Sequence, residues 1–204
     1  MQFRNIKVTD PAGNTLFDGL PPRNALAARP AYWGFFGNAT FSNESSELVP
    51  MTCPAVWLQA VSAERPRPRW ASCLILFDHK TCYGAPAWVV EKLWRDHFAP
   101  KRLKLDGPDQ PLNSVATLSE DGKTLHLKSV NPTKQPVTIS LTTSAAFATA
   151  QAELLVVSGR ESDRNSLAEP VQLAPRPQPV VREAGVIHFA MPALSAGVLT
   201  LSTN

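Results

Sequence analysis

The sequence predicts a mainly β protein, with a C-terminal antiparallel β-sandwich preceded by one strand-helix unit of the α/β type. Three observations predict this. The 19 prolines among 204 residues limit helix content, because proline removes a backbone donor. One strand-then-helix unit lies within residues 73–97, and short alternating strands with turn residues follow residue 100. We therefore divide the chain into residues 1–43, 44–99 and 100–204.

The N-terminal residues alternate in polarity around a turn. The stretch FRNIKV precedes the turn sequence DPAGN, and TLF follows it. Alternation on both sides of a Pro-Gly turn predicts a β-hairpin. Residues 24–43 are apolar and aromatic but interrupted by proline and glycine, and the pattern favours no single element there.

Apolar residues at positions 48, 51, 55 and 58 recur at helical spacing and predict a helix that begins near Ser45. Pro54 would kink or end this helix. The run CLILF at 73–77 is apolar on both faces. Such a run is typical of a strand that is buried in a parallel sheet between helices.

A second helix is predicted over residues 86–97, because Pro86 suits the first helical position. Its apolar and charged residues separate onto opposite faces. The apolar stripe comprises Val90, Leu93, Trp94 and His97, and we expect His97 to be a satisfied core residue. A single strand-helix unit cannot bury its own apolar faces, so it indicates a larger α/β architecture.

The remainder of the chain has the pattern of an antiparallel sandwich, with a domain boundary near 99–103. Asp121-Gly122 is a strong hairpin signal. The stretches VTISL and AELLVV predict two further strands, a polar loop is predicted over 158–181, and two strands flank Met191-Pro192. His126 and His188 are predicted as surface residues or cross-strand partners.

Composition argues against several partners and cofactors. The formal net charge is +3, and the one basic cluster, ERPRPRW, is better explained as a solvated loop than as a nucleic-acid site. No stretch approaches the roughly 20 apolar residues of a membrane span. The three cysteines lack metal-site spacing and serve best as apolar filler. We expect no cofactor, no metal, no nucleic-acid partner and no membrane association.

Five stretches, in the same order, resemble the C-terminal portion of a family 51 glycoside hydrolase, an α-L-arabinofuranosidase. The resemblance covers roughly residues 44–204 and implies an apparently truncated member of that family. The implied fold is a C-terminal antiparallel β-sandwich (jelly-roll-like) preceded by an incomplete α/β-barrel remnant that retains a last strand and a last helix. The stretches are ESSELVPMTCPAV (44–56), RWASCLILFDHKTCYGAPAWVVEKLW (69–94), DGKTLHLKSVNPTKQPVTISL (121–141), NSLAEP (165–170) and FAMPALSAGVLTL (189–201).

The family resemblance implies hydrolysis of terminal α-L-arabinofuranosyl residues from hemicellulose or arabinan, with retention. A retaining glycosidase needs two carboxyl groups about 5–5.5 Å apart, and in the family these are glutamates on barrel strands upstream of residue 44. Asn43-Glu44 mimics the family's Asn-Glu pair, but Glu44 fits better at a helix start, where the dipole favours it. We expect no catalytic residue here and a chain that is inactive alone.

The candidate substrate-binding residues are Trp70, Asp78 and His79. Asp78 and His79 follow the C-terminal end of the buried strand, the edge at which barrel active sites form. With Trp70 they could bind an arabinose-containing saccharide. In the competing interpretation, Asp78 closes a turn and Trp70 packs in the core.

Two further function classes stay open. One is a non-catalytic, carbohydrate-associated β-sandwich. The other is a self-associating interaction module, because a strand-helix unit outside a complete barrel exposes apolar surface. The second possibility predicts a homo-oligomer that forms through the barrel remnant.

Overall fold

The computed structural model describes residues 7–9, 12, 15–18, 58–65, 73–107, 111–160 and 162–203. These described residues contain short strands, one α-helix and one 3-10 turn at Ala145–Phe147. The helix is α1 (Pro86–Asp96). The strands are β1 (Lys7–Thr9), β2 (Thr15–Asp18), β3 (Leu58–Ala60), β4 (Ile75–Phe77), β5 (Cys82–Gly84), β6 (Lys101–Leu103), β7 (Asn113–Leu118), β8 (Thr124–Asn131), β9 (Val137–Thr142), β10 (Gln151–Ser158), β11 (Arg176–Gln178), β12 (Val180–Glu183), β13 (Val186–Met191) and β14 (Ser195–Ser202).

Two antiparallel sheets form the predicted sandwich. One has six strands in the order β11-β10-β14-β8-β7-β6, and the other has three in the order β12-β13-β9. Their inner faces share one apolar core. The largest fully buried core side chains come from both sheets and include Leu154, Leu199 and Leu201 opposite Ile187 and Met191.

The central strand β14 is covered on both faces, which explains its almost continuous burial. Its inner side chains face the three-stranded sheet, and its outer ones face α1. Gly197 allows β10 to approach closely. A Cβ atom there would lie 2.9 Å from the Val156 side chain and 3.0 Å from the Leu155 carbonyl oxygen, closer than van der Waals contact permits.

Helix α1 packs on the outer face of the six-stranded sheet. Pro86 occupies its first turn, as the sequence predicts. Val90 and Leu93, both predicted on the apolar stripe, are buried together with Val89. These side chains pack against valines of the sheet, namely Val130, Val157 and Val198. The helix thus belongs to the same packed unit as the sandwich.

A small mixed sheet precedes the helix. Strands β3 and β4 are parallel, as expected for a barrel remnant, and β4 and β5 are antiparallel. Two predictions are wrong here. Leu58 lies in a strand rather than a helix, because its backbone pairs with β4. Phe77 is 37% exposed, because only the opposite face of β4 packs on the cluster around Tyr83.

The predicted hairpins form. Strands β1 and β2 pair around the DPAGN turn, and β7 pairs with β8 around Asp121-Gly122. Gly122 has a φ of +74°, which favours glycine. The predicted loop over 158–181 is partly wrong, because it contains β11 and the start of β12.

Several predictions are untested. Before Leu58, the helix expected from Ser45 lies outside the described residues, as does the undefined segment 24–43. The domain boundaries remain predictions. Among the described elements, none is a helix with the length and hydropathy of a transmembrane segment.

Candidate functional site

The turn between β4 and β5 holds two of the three predicted saccharide-binding residues. The Asp78 N–H donates to the Thr81 carbonyl at 2.9 Å. Asp78 Oδ1 accepts the backbone N–H groups of Lys80 at 2.8 Å and Thr81 at 2.7 Å. This is the geometry of a side-chain-closed turn, which the competing interpretation expects, and saccharide binding by Asp78 stays a prediction.

The hydrogen bonds inside this turn also favour the ionised form of the Asp78 carboxyl. The Lys80 and Thr81 N–H groups hold the pKa of the Asp78 carboxyl below its ordinary value, because they favour the ionised form. His79 is adjacent and exposed. Trp70 lies outside the described residues, so its proposed place beside this turn stays a prediction.

Two other carboxylates, Glu64 after β3 and Asp96 at the end of α1, have local partners. Glu64 accepts the Ser62 hydroxyl at 2.7 Å, and this bond lowers the pKa of the Glu64 carboxyl. Asp96 accepts Lys92 one turn earlier on α1. Burial raises the pKa of Glu91. Both bonds are local: the Ser62–Glu64 bond lies within a turn, and the Lys92–Asp96 pair spans one turn of the helix.

A buried asparagine that sequence reasoning missed joins the sandwich to the mixed sheet. Asn165 is 4% exposed. Its Nδ2 donates to the Gly84 carbonyl at 3.0 Å and the Leu173 carbonyl at 3.2 Å, and its Oδ1 accepts the Leu173 N–H at 2.6 Å. Asn165 belongs to the stretch NSLAEP, one of the five stretches that resemble the family in the same order. That resemblance was the only sequence signal that could have singled out this asparagine.

The VNP stretch contains a second buried asparagine, Asn131. Its Nδ2 donates to the carbonyls of Gln135, Met191 and Pro192 at 2.8, 3.2 and 2.8 Å. Its Oδ1 accepts the N–H and hydroxyl of Thr133. One side chain therefore ties the end of β8 to the connection between β13 and β14.

Two side chains, Lys128 and His97, bond the C-terminal end of α1. Lys128 on β8 is 7% exposed, and its Nζ donates to the Trp94 carbonyl at 2.9 Å. His97 Nδ1 lies 2.8 Å from the Leu93 carbonyl. These contacts satisfy two helix carbonyls that lack partners within the helix, and a cation there is favoured by the helix dipole.

His126 lies beneath this end of the helix. Its ring meets the His97 ring edge-to-face at 5.4 Å, and its Nδ1 lies 3.0 Å from the Thr200 hydroxyl. Burial, reinforced by His97 and Lys128, lowers the pKa of His126 to about 4. Burial lowers the pKa of Lys128 to about 8. His126 is thus the predicted cross-strand partner, but it is not on the surface.

Comparison with known proteins gives a result for the fold. No protein-family model matches the sequence, and no curated protein matches it. The arabinose-bound MgGH51 α-L-arabinofuranosidase has a TM-score of 0.69 and 18% identity over 86% of this chain. The enzyme from Thermotoga maritima, in its arabinose complex, has a TM-score of 0.66 and 15% identity over 85%.

The chain has the fold of a C-terminal portion of family 51 α-L-arabinofuranosidases. It covers only 28% of the MgGH51 chain and 38% of the Thermotoga maritima chain. The GH30 xylanase C catalytic domain from Talaromyces cellulolyticus is also similar, with a TM-score of 0.54 and 16% identity over 72% of this chain and 29% of its own. Two hydrolase families thus share this architecture, so the fold alone does not select a substrate.

Proposed function

We propose that this chain is the structural C-terminal part of an α-L-arabinofuranosidase-type glycosidase and does not hydrolyse arabinofuranosides by itself. One observation carries the proposal. Helix α1, which corresponds to the last barrel helix in the resemblance, is built into the sandwich by Val89, Val90 and Leu93. The described residues thus supply a platform for a barrel.

Local hydrogen bonds of three carboxylates in the described part of the chain are consistent with this proposal. Retention requires two carboxyl groups that face one sugar. Asp78 closes a turn, Glu64 bonds Ser62, and Asp96 bonds Lys92. We propose that the catalytic pair belongs to barrel strands, and that a saccharide reaches the turn at Asp78 and His79 only as part of that larger site.

The test is release of p-nitrophenol from p-nitrophenyl α-L-arabinofuranoside at high protein concentration. We expect a rate equal to the protein-free rate. Glu44→Gln removes the one Asn-Glu pair that resembles the family signature, and Asp78→Asn serves as the comparison variant. Turnover by the unmodified chain that Glu44→Gln abolishes, but Asp78→Asn retains, would overturn the proposal.

Self-association is a second candidate function, favoured by an apolar sheet face. Leu58 is paired with Ile75, and Ala60 with Phe77, so these side chains lie on the same face of β3 and β4. Leu58 is 62% exposed. Exposed apolar surface of this kind favours association with a second copy.

Light scattering over a range of protein concentrations tests this candidate. We expect a dimer that Leu58→Lys dissociates. Val171→Lys is the matched control, because Val171 is 71% exposed and lies outside this sheet. A clean monomer at every concentration would contradict self-association while leaving the hydrolysis test unaffected.

A further inference from the structure

A polar row beneath the end of α1 crosses the outer face of the six-stranded sheet. Thr117 on β7, His126 on β8 and Thr200 on β14 are paired directly in register, so their side chains lie on the same face. The His97 ring, just after α1, meets the His126 ring edge-to-face at 5.4 Å. His126 is 8% exposed. The end of the helix therefore covers the middle of this row.

The part of the chain that covers His126 has little apolar anchoring. Leu93 and Ala99 are buried, but none of the residues between them is. Phe98 is 64% exposed, and the Arg95 guanidinium lies 5.8 Å from the centroid of its ring. We call residues 94–98 the end segment. Because most helix stability in proteins comes from packing of an apolar face, this segment can leave the sheet while Leu93 and Ala99 stay packed.

Basic groups converge where the end segment meets the sheet. Lys128 lies two residues after His126 on the same face of β8, and its Nζ donates to the Trp94 carbonyl at 2.9 Å. His97 Nδ1 donates to the Leu93 carbonyl at 2.8 Å. Two imidazoles and one ammonium group thus surround one helix end. A proton on His126 adds a positive charge beside Lys128, and like charges at short range repel.

The next charged groups along the row are farther from His126. Arg102 on β6 is opposite Thr117, and Glu153 on β10 is opposite Thr200. Each therefore lies two strands from His126, about 10 Å away. Both side chains are exposed, so solvent screens their effect on His126. Neither Arg102 nor Glu153 is placed to stabilise a charge on this ring.

The carboxylates of α1 do not offset the repulsion either. Asp96 bonds Lys92 on the helix surface, and Glu91 lies nearly two turns before His97. Burial is the main cause that lowers the pKa of His126 to about 4, and the basic neighbours on α1 and β8 add to it. The closed arrangement thus disfavours a proton on His126.

A buried hydroxyl in the same row also destabilises the closed arrangement. Thr117 Oγ1 is buried and makes no hydrogen bond within the part of the chain that the structure describes. Such an atom has lost its bonds to water and gained none from protein, which is unfavourable. Because Thr117 is directly opposite His126, displacement of the end segment exposes the hydroxyl and the ring together.

We propose that the end segment is an acid-sensitive latch: protonation of His126 releases residues 94–98 from the sheet, while the sandwich and the earlier turns of α1 stay folded. The proposal concerns the closed and open states of this chain alone, so it does not depend on the proposed role in a glycosidase. It differs from acid unfolding of the whole chain in where the first opening occurs.

The pH range of the opening follows from the two states of His126. Its pKa is about 4 when the segment covers it and returns to the ordinary 6.5 when the segment is released. Between these values the open state binds a proton that the closed state does not, so opening becomes more favourable as pH falls from 6.5 to 4. Above pH 6.5 neither state holds the proton, and the segment stays closed.

Native-state amide hydrogen exchange of the unmodified chain at pH 7 and pH 4.5 tests the latch. Each rate is corrected for the intrinsic exchange rate at that pH. We expect the opening constants of Arg95 and Asp96 to rise about 50-fold at pH 4.5. Those of Val89 and Val198 should change much less, because α1 before Leu93 and strand β14 remain packed. Amide chemical shifts should change mainly in residues 94–98 and around His126.

A matched pair of histidine variants locates the cause. His126→Gln keeps a polar side chain but cannot take up a proton in this range, so we expect the opening constants of the end segment to become independent of pH. His188→Gln is the control, because His188 Nδ1 makes a similar bond to the Ser140 hydroxyl from an exposed position. It should keep the full acid effect.

A second pair tests the buried hydroxyl. Thr117→Val replaces the hydroxyl by a methyl group, so we expect the end segment to open at least about fivefold less at both pH values. Thr138→Val is the control, because Thr138 is exposed on β9. It should leave the opening constants unchanged.

Four results would overturn the proposal. They are opening of the end segment that does not vary with pH, an equal rise in β14, an undiminished acid effect in His126→Gln, and no effect of Thr117→Val. An equal rise in β14 would assign the acid effect to the whole chain rather than to the end segment. The first two results come from the unmodified chain, so the test holds even if a variant does not fold.

Discussion

At the residue scale, two buried asparagine side chains connect separate segments of the chain through several hydrogen bonds each. Asn131 and Asn165 each bond several backbone groups while almost completely buried. Burying an amide is favourable only when its donors and acceptors are satisfied. Both asparagines lie in stretches that the sequence analysis quoted. Each also bonds a carbonyl that is distant in sequence, that of Pro192 for Asn131 and that of Gly84 for Asn165, so their roles became visible only in the folded chain.

The turn between β12 and β13 allows a stabilising substitution. Ala184 and Gly185 form a two-residue connection with φ values of 48° and 82°. Two positive φ values are typical of the type I′ hairpin turn, which prefers Asn-Gly. We expect Ala184→Asn to increase the free energy of unfolding by about 1 kcal/mol, measured by chemical denaturation. Gly185→Ala should lower it, and equal effects of both substitutions would contradict this account.

His126 makes stability dependent on pH. Its ordinary pKa of 6.5 falls to about 4 in the folded chain. Between these values the unfolded state binds a proton that the folded state does not, so stability falls as pH decreases from 6.5 to 4. The loss is about 3 kcal/mol when the shift is fully expressed.

Denaturation from pH 4 to pH 7 measures this effect. His126→Gln should flatten the pH dependence. His188→Gln is the control, because His188 Nδ1 makes a similar bond to the Ser140 hydroxyl at 3.0 Å from an exposed position. If the two variants keep the same pH dependence as the unmodified chain, His126 does not control acid stability.

At the element scale, strands were more predictable than their surroundings. Alternation identified β9, and the Asp121-Gly122 turn identified β7 and β8. The apolar run CLILF predicted a strand in a parallel sheet, and β4 does pair in parallel with β3, but Leu58 of β3 was predicted in a helix. The exposure of Phe77 did not, because periodicity shows which residues are apolar but not whether another element covers them.

The junction between β5 and the sandwich depends on Asn165. Asn165→Ala removes three hydrogen bonds and leaves the Gly84 and Leu173 carbonyls without this partner. We expect the free energy of unfolding to fall by about 2–3 kcal/mol, measured by chemical denaturation. Gln135→Ala is the control, because Gln135 is exposed and its hydrogen bonds come from its backbone N–H and carbonyl, which the substitution keeps. Equal losses in both variants would contradict the role of Asn165.

At the scale of the whole molecule, one face of the six-stranded sheet holds the three-stranded sheet and the other holds α1. The sequence predicted the helix and the sandwich separately and divided them near residues 99–103. It could not predict their contact, because Lys128 and Val130 come from a strand far from α1 in sequence. The sequence predicted that Asp78 and His79 follow the end of β4, and the structure shows a turn there. Saccharide binding at this turn stays a prediction.

The central claim is that α1 and the sandwich unfold as one cooperative unit, which is how the chain can serve as a platform for a barrel. Native-state amide hydrogen exchange measures this directly. We predict that the amides of Val89, Val90 and Leu93 open with the same free energy as those of β14. Exchange of α1 at a much lower free energy, while β14 stays protected, would contradict the claim.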